Sequence, residues 1–159
     1  MKSKTFAPLM KIAVLIAAVC GLFICIFVVP YIGKSIIALY PEFSSWYWPW
    51  LIFAWLFSLP CFILLVTIWR ISNCVKNETV FTLKTAKLVK TSAVLLLSDA
   101  LLLFAGNILL LLLNMNHPSV VLIAVVIAVF EVVVALFAEI VSRYLAKAAI
   151  LQEESDGTL

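Results

Sequence analysis

Charged side chains are scarce in this 159-residue chain: Asp, Glu, Lys and Arg make up 12% of it, whereas hydrophobic residues make up 66%. An ordinary globular domain is about 25% charged and about 45–50% apolar, so a soluble fold of this chain would leave too much apolar surface in water. The mean hydropathy is +1.24. The composition therefore excludes a soluble domain and indicates an integral membrane protein whose apolar surface faces lipid.

The residues and motifs that carry most catalytic and metal chemistry are also few. The chain has four glycines and one histidine, and it contains no phosphate-cradling glycine loop, no HExxH motif and no GxSxG motif. His117 stands in a short polar loop beside Pro118, with no cluster of other ligand-type residues, so we expect no metal there. We therefore expect a non-enzymatic protein without a cofactor.

The four cysteines do not form a disulfide framework. Cys20, Cys25 and Cys61 lie in apolar segments, and Cys74 lies in a basic one. None is placed for an extracellular bridge. We interpret all four as small apolar fillers rather than as a redox set.

Long apolar stretches divide the chain into four predicted spans, which we expect to form one all-α domain, a four-helix transmembrane bundle. At about 1.5 Å per residue, each stretch is long enough to cross a bilayer core. The predicted spans cover residues 12–33, 46–69, 91–113 and 119–142.

Pro60 lies well inside the second predicted span. Proline lacks a backbone donor, so the carbonyl of Leu56 loses its helical partner and a helix kink is expected at this point. Ser58 or a neighbouring helix could satisfy the freed carbonyl. We interpret the kink as a packing feature, and a hinge or ligand site is the alternative.

Basic residues are distributed unevenly among the polar segments. Loop 70–90 holds five bases against the single acid Glu78, and a short basic loop of this kind stays on the cytoplasmic side during insertion. Three lysines in the head and two bases in the tail, residues 143–159, agree with this orientation, whereas Lys34 is the one base on the other side. Both termini are therefore predicted to be cytoplasmic. The net charge of +3 is an orientation signal rather than a sign of direct nucleic-acid binding.

Both predicted cytoplasmic segments are expected to be helical. Thr82 is a good N-cap candidate, so a helix should begin near Leu83 and continue without a break into the third span. Three lysines share one face of that helix: Lys84, Lys87 and Lys90. We interpret this basic stripe as contacting anionic lipid headgroups, with protein docking as the alternative.

The last span should continue as a helix into an acidic stretch, Glu153, Glu154 and Asp156. The acids could pair weakly with the lysines or form, together with them, a bipolar docking site.

Three acidic residues fall inside the predicted third and fourth spans: Asp99, Glu131 and Glu139. Glu139 lies near the inner surface, four residues before Arg143, and the two should form a weak ion pair. Asp99 lies about nine residues in from Lys90. Measured from the turn near Asn116, Asp99 and Glu131 are about 17 and about 15 residues away, so the two acids lie at nearly the same depth.

The spacing of small residues predicts which way the two acids point. Asp99 shares a seven-residue spacing with Ser92 and Gly106, and Glu131 belongs to a stripe of small residues, so both carboxyls should point into the bundle. No basic residue lies at that depth. At least one acid should therefore be protonated and donate a hydrogen bond, to its partner or to the carbonyl freed by Pro60. A functional acid pair and a structural polar clasp both stay open.

Two segments carry a family resemblance: VKNETVFTLKTAKLVKTSA, around Phe81 and Thr82, and the ending FAEIVSRYLAKAAILQEESDGTL. With them the chain resembles the YoaS-like family of small bacterial four-span membrane proteins (domain of unknown function 2975), over nearly its whole length. The resemblance implies a multi-pass protein of the bacterial plasma membrane, encoded beside a small helix-turn-helix regulator. It further implies a regulatory or sensing partner for that regulator.

Two other functions stay open beside the regulatory one. A small transporter or immunity-type protein would use Asp99 and Glu131, and a structural membrane subunit would use its helix faces. The lipid bilayer is the expected environment in every case, and self-association into a homo-oligomer is also open.

Overall fold

The structure is a computed structural model that describes residues 3–156, with side chains from residue 6 to residue 155. Helix α1, Ser3–Phe23, passes through a π-helical segment, Ile24–Val28, into α2, Val29–Leu39. A 3-10 segment, Pro41–Trp46, leads into α3, Tyr47–Lys76. The last two helices are α4, Leu83–Leu112, and α5, Pro118–Asp156.

Four helical units are long and apolar enough to cross a membrane: Phe6–Leu39, Pro41–Lys76, Leu83–Leu112 and Pro118–Ser155. Many of their large apolar side chains are exposed in the isolated chain, as expected for helices whose outer faces contact lipid. The predicted all-helical protein with four apolar helices is thereby confirmed. The first unit extends past the predicted limit at residue 33 and ends at Leu39, because Tyr40, the residue before Pro41, leaves the helical conformation (φ −133°, ψ 79°).

α3 and α4 end in the same backbone turn, although neither ends in glycine. Glu78 and Asn114 adopt the left-handed conformation, with φ of 57° and 55°. The next residues, Thr79 and Met115, each donate a backbone hydrogen bond to the carbonyl five residues earlier, at 2.9 and 2.8 Å. These are Schellman motifs, which satisfy carbonyls that a helix end otherwise leaves free.

The predicted start of α4 is confirmed. The Oγ1 of Thr82 accepts a hydrogen bond from the Thr85 N–H at 3.4 Å, and the helix begins at Leu83. It continues unbroken into the apolar part of α4. The expected helical continuation of the last span is also confirmed, because α5 extends to Asp156.

The helices form an open row rather than the predicted four-helix bundle. Among the described residues, close backbone contacts between the long helices join α1 and α2 to α3, α3 to α4, and α4 to α5, but they join α5 to no helix except α4. The close packing of α5 on α4, and the lack of close contacts between α5 and α1, follow from side-chain size. Small residues line the α4–α5 seam and let the two backbones approach, whereas α1 carries mostly large exposed residues.

Hydrogen bonds between helices show which helix ends lie together. Ser72 Oγ donates to the Ala7 carbonyl, and Ser142 Oγ donates to the Ala86 carbonyl, both at 2.8 Å. The start of α1, the end of α3, the start of α4 and the last part of α5 therefore lie at one end, which we call the basic end (residues 7–11, 69–90 and 142–155). The opposite end (residues 29–50 and 114–120) is the turn end.

Pro60 does not interrupt α3, which stays helical from Tyr47 to Lys76. The expected use of Ser58 is wrong: its hydroxyl donates to the Trp55 carbonyl at 2.7 Å and not to that of Leu56. A serine in a helix reaches the carbonyl three or four residues earlier, and Leu56 is only two residues away.

Candidate functional site

Three polar side chains from three neighbouring helices meet near the middle of the row. We call Cys61 of α3, Asp99 of α4 and Glu131 of α5 the polar cluster. Cys61 Sγ donates a hydrogen bond to Asp99 Oδ2 at 3.1 Å. Asp99 is only 3% exposed, and Glu131 is half-buried. The structure thus brings the two predicted acids to one site and adds a thiol from a third helix.

Two carboxyl oxygens in the cluster have no hydrogen-bond partner. Asp99 Oδ1 and Glu131 Oε2 are both buried and unpartnered within the described part of the chain. The expected hydrogen bond between the two acids, or from one of them to the Leu56 carbonyl, is replaced by the thiol contact of Cys61. Cys61 follows Pro60 directly, so the thiol reaches Asp99 from the same turn of α3.

Small residues bring α4 and α5 together around the cluster. In α5, Glu131 lies between the buried residues Ala128 and Ala135, and Ser142 continues the same stripe. Alanine and serine allow close backbone approach in a membrane, where packing and hydrogen bonds drive helix association. Glu131 therefore lies on the face of α5 that packs against α4, with Oε2 buried.

α3 closes the cluster from the other side. The ring of Phe53 lies where a side chain at Gly106 would stand, because a Cβ at Gly106 would overlap that ring. Phe57 and Val132 pack against the buried alanines beside the acids. The polar cluster thus has apolar walls, which strengthen electrostatic interactions and make an unpartnered polar atom costly.

Cys61 is the cluster member that the sequence analysis missed. A cysteine in an apolar run is typical of a small apolar filler, and the four cysteines are free thiols in the structure. One signal for Cys61 was available. It lies about nine residues from Arg70, just as Asp99 lies about nine residues from Lys90, which puts both at a similar depth.

The residues predicted for docking lie at the basic end. Lys84, Lys87 and Lys90 are exposed near the start of α4. Glu153 and Glu154 are exposed near the end of α5, and the side chain of Asp156 lies outside the described residues. Elsewhere on α5, Arg143 Nε donates to Glu139 Oε1 at 2.9 Å, which confirms the predicted ion pair between these two residues, four positions apart.

His117 takes part in the first turn of α5. Its Nδ1 lies 2.8 Å from Ser119 Oγ and accepts a hydrogen bond from the Ser119 N–H at 3.3 Å. Across residues 3–156, no group of three or more His, Cys, Asp and Glu side chains could hold a metal ion. The histidine is used for local structure at the turn end.

Four apolar helices with a polar cluster between them define a small multi-pass membrane protein. The family model described as protein of unknown function (DUF2975) matches residues 31–159. The chain belongs to this family. No curated protein and no solved structure matches the chain. The matched region contains the whole polar cluster and begins after α1.

Proposed function

We propose that the protein is a non-enzymatic regulatory or sensing membrane protein that acts through its basic end on a protein partner. One observation carries the proposal: α4 and α5 are continuous helices that connect the polar cluster to the basic end. They stay in contact beyond the cluster, because Ser142 donates to the Ala86 carbonyl at 2.8 Å. A change in the packing of the seam at Asp99 and Glu131 would therefore move the charged ends of both helices.

The orientation that this function requires has the basic end and both termini in the cytoplasm of a bacterial plasma membrane. The arrangement of the helix ends supports it. The start of α1, the α3–α4 connection and the last part of α5 lie together, and they carry nearly all of the bases. Bases near the ends of spans favour the cytoplasmic side.

The basic end presents both signs of charge to a partner. Exposed lysines lie near the start of α4, and exposed glutamates lie near the end of α5. Exposed ion pairs contribute only about 0.2–1 kcal/mol each, so contacts of the two helix ends with each other would exchange readily for contacts with a partner. Charge of this kind gives a partner its orientation and its rate of association.

The partner that we propose is a small helix-turn-helix regulator encoded beside the protein. This part of the proposal depends on the narrower YoaS-like resemblance. The protein would bind the regulator at the membrane without itself contacting nucleic acid. Self-association is compatible with this role, because among the described residues the backbone of α5 closely approaches no helix except α4.

The test uses two variants at the basic end and one control at the turn end. Deletion of residues 152–159, and separately charge reversal of Lys84, Lys87 and Lys90 to Glu, should release the adjacent regulator from the membrane fraction and change expression of the neighbouring operon. The matched control is Lys34→Glu, which reverses one exposed base at the turn end and should leave both readouts unchanged. If both basic-end variants reach the membrane normally and neither readout changes, the regulatory proposal is wrong.

A second candidate function is a small transporter or immunity-type protein that uses the acid pair. The unpartnered oxygens of Asp99 and Glu131 favour it, because acidic residues inside membrane spans mark proton relays. Replacement of both by Asn and Gln should then abolish activity without unfolding the protein. If the pair is a structural clasp, the amides can still donate hydrogen bonds, and folding and phenotype should stay nearly intact. Glu139→Gln, near the basic end, is the matched control.

A further inference from the structure

A cavity of about 430 Å³ lies at the turn end, away from the polar cluster. Its apolar walls come from three parts of the chain: Ile32 and Ile36 of α2, Trp50 and Ala54 of α3, and Met115 and Val120 around the α4–α5 turn. No close backbone contact joins α2 to α4 or α5 among the described residues. The cavity is therefore the gap between α2 and the α4–α5 hairpin, with α3 as its floor.

Several polar groups near the cavity are already used within the protein. Asn116 Nδ2 donates to Asn107 Oδ1 at 3.0 Å, and Asn116 Oδ1 accepts from the His117 N–H at 2.9 Å. Trp50 Nε1 donates to the Met115 carbonyl at 2.6 Å. A buried water needs about two to four polar partners, so these walls do not favour water. The cavity is partly open to the outside of the protein, so hydrocarbon from a surrounding bilayer has access to it.

We propose that the cavity binds one acyl chain of a membrane phospholipid, with the lipid phosphate beside Lys34. The cavity lies between helices that are long and apolar enough to cross a membrane, so hydrocarbon chains surround it. Its volume is within the range of about 300–1,000 Å³ that is usual for ligand sites. Lys34 is exposed, follows the lining residue Gly33 directly and is the one base at the turn end, so it supplies the charge that a phosphate requires.

The aromatic residues at the turn end agree with a lipid phosphate bound at the headgroup level. Trp46, Tyr47 and Trp50 line the cavity, and tryptophan and tyrosine concentrate at the headgroup level of a bilayer. The bound chain would fill the space beside α2, which has only α3 as a helix neighbour in the row. The site is independent of the proposed regulatory role at the other end.

The first test measures bound lipid by native mass spectrometry of the full-length protein, purified gently from membranes. The wild type should retain one phospholipid per chain. Ala54→Phe places a ring in the cavity and should lower this occupancy about tenfold or more. The matched control is Leu59→Phe, which adds a ring to an exposed position of the same helix and should bind like the wild type. Absence of bound lipid from the wild type, or equal occupancy in Ala54→Phe, would overturn the proposal.

A second measurement needs no cavity variant and so does not depend on the folding of Ala54→Phe. A phospholipid with a diazirine on its acyl chain is added to delipidated wild-type protein, and the cross-linked residues are identified. Labels should fall on both walls, at Ile32 or Ile36 and at Val120, more often than on exposed residues such as Leu122. Labelling of the exposed residues alone would contradict an acyl-chain site.

The headgroup contact is tested by comparing phosphatidylglycerol with diacylglycerol of the same chains. Lys34→Gln should lower the occupancy of phosphatidylglycerol about fivefold, as for the loss of one base near a lipid phosphate, and leave diacylglycerol unchanged. If the wild type binds diacylglycerol with the same occupancy as phosphatidylglycerol, the cavity does not select a phospholipid, and the proposed phosphate contact is wrong.

Discussion

The α4–α5 hairpin and the α1–α2 unit are built from similarly apolar sequences but pack in opposite ways. The hairpin buries alanines, serines and Asp99 along a narrow seam. In contrast, only Ala7 and Val14 are buried among the side chains of α1 that the structure describes, and α2 has no buried residue. Lipid is as apolar as leucine, so apolarity alone does not drive helices together in a membrane. Small and polar residues, rather than hydrophobic ones, therefore decide which helices of this protein associate.

The largest expected difference between the two regions comes from one substitution made in each. Ala135→Leu inserts a large side chain where Ala135 is completely buried, and overpacking of this kind destabilises by about 1–3 kcal/mol. The same change at the exposed Ala17 of α1 should alter stability by less than about 0.5 kcal/mol. Reversible unfolding in mixed micelles would measure both, and equal losses would remove the distinction between the regions.

Gly106 of α4 and Gly21 of α1 both face phenylalanine rings of α3, but at different distances. Gly106→Ala should destabilise by about 1–2 kcal/mol, because the new Cβ would overlap the Phe53 ring. Gly21→Ala in α1 should be nearly neutral, because its Cβ would stand 3.3 Å from the tip of the Phe62 ring, which can shift slightly. The same unfolding assay would separate the two, and the account fails here if Gly21→Ala is the more harmful change.

The Cys61 thiol should contribute less to stability than the packing at Ala135 and Gly106. Cys61→Ala removes the donor to Asp99 Oδ2 and should lower stability by about 0.6 kcal/mol, with an upper limit of about 1.7 kcal/mol, as for other hydrogen bonds between membrane helices. Cys61→Ser keeps a donor and should retain most of the stability. Cys20→Ala, at an exposed position of α1, is the control. A serine variant as unstable as the alanine variant would argue against the hydrogen bond.

Two serines that bond to neighbouring helices should have equally small effects in the two regions. Ser142 and Ser72 each donate one hydrogen bond of 2.8 Å to a backbone carbonyl of a neighbouring helix. Alanine at either position should therefore lower stability by about 0.6 kcal/mol. Thermal unfolding of the two variants would compare them. A much larger loss for Ser142→Ala would mean that hydrogen bonding, and not only packing, distinguishes the hairpin.

Local signals in the sequence predicted the elements of the fold well. Apolar runs of sufficient length indicated four spans, and the hydroxyl of Thr82 indicated the start of α4. The stripe through Ala128, Glu131 and Ala135 predicted the face of α5 that the structure buries against α4. These features depend on spacing along one helix, which a sequence contains directly.

The arrangement of the helices and the full membership of the site were not predictable in the same way. The open row depends on which helix faces lack small residues on both partners, a property of pairs of helices rather than of one. Cys61 joins Asp99 only because α3 packs against α4 at that depth, with Phe53 placed on Gly106. The turn-end cavity likewise depends on the distance between α2 and α5, which no local pattern contains.

The claim on which the functional account depends is that the basic end faces the cytoplasm. Single cysteines at Glu42, Lys84 and Lys147 can be introduced after the four native cysteines are replaced, and sealed cells can be treated with a membrane-impermeant maleimide. We expect the cysteine at position 42 to be labelled in intact cells, and those at positions 84 and 147 only after the membrane is opened. Labelling of the cysteine at position 84 or 147 in sealed cells would contradict a cytoplasmic basic end.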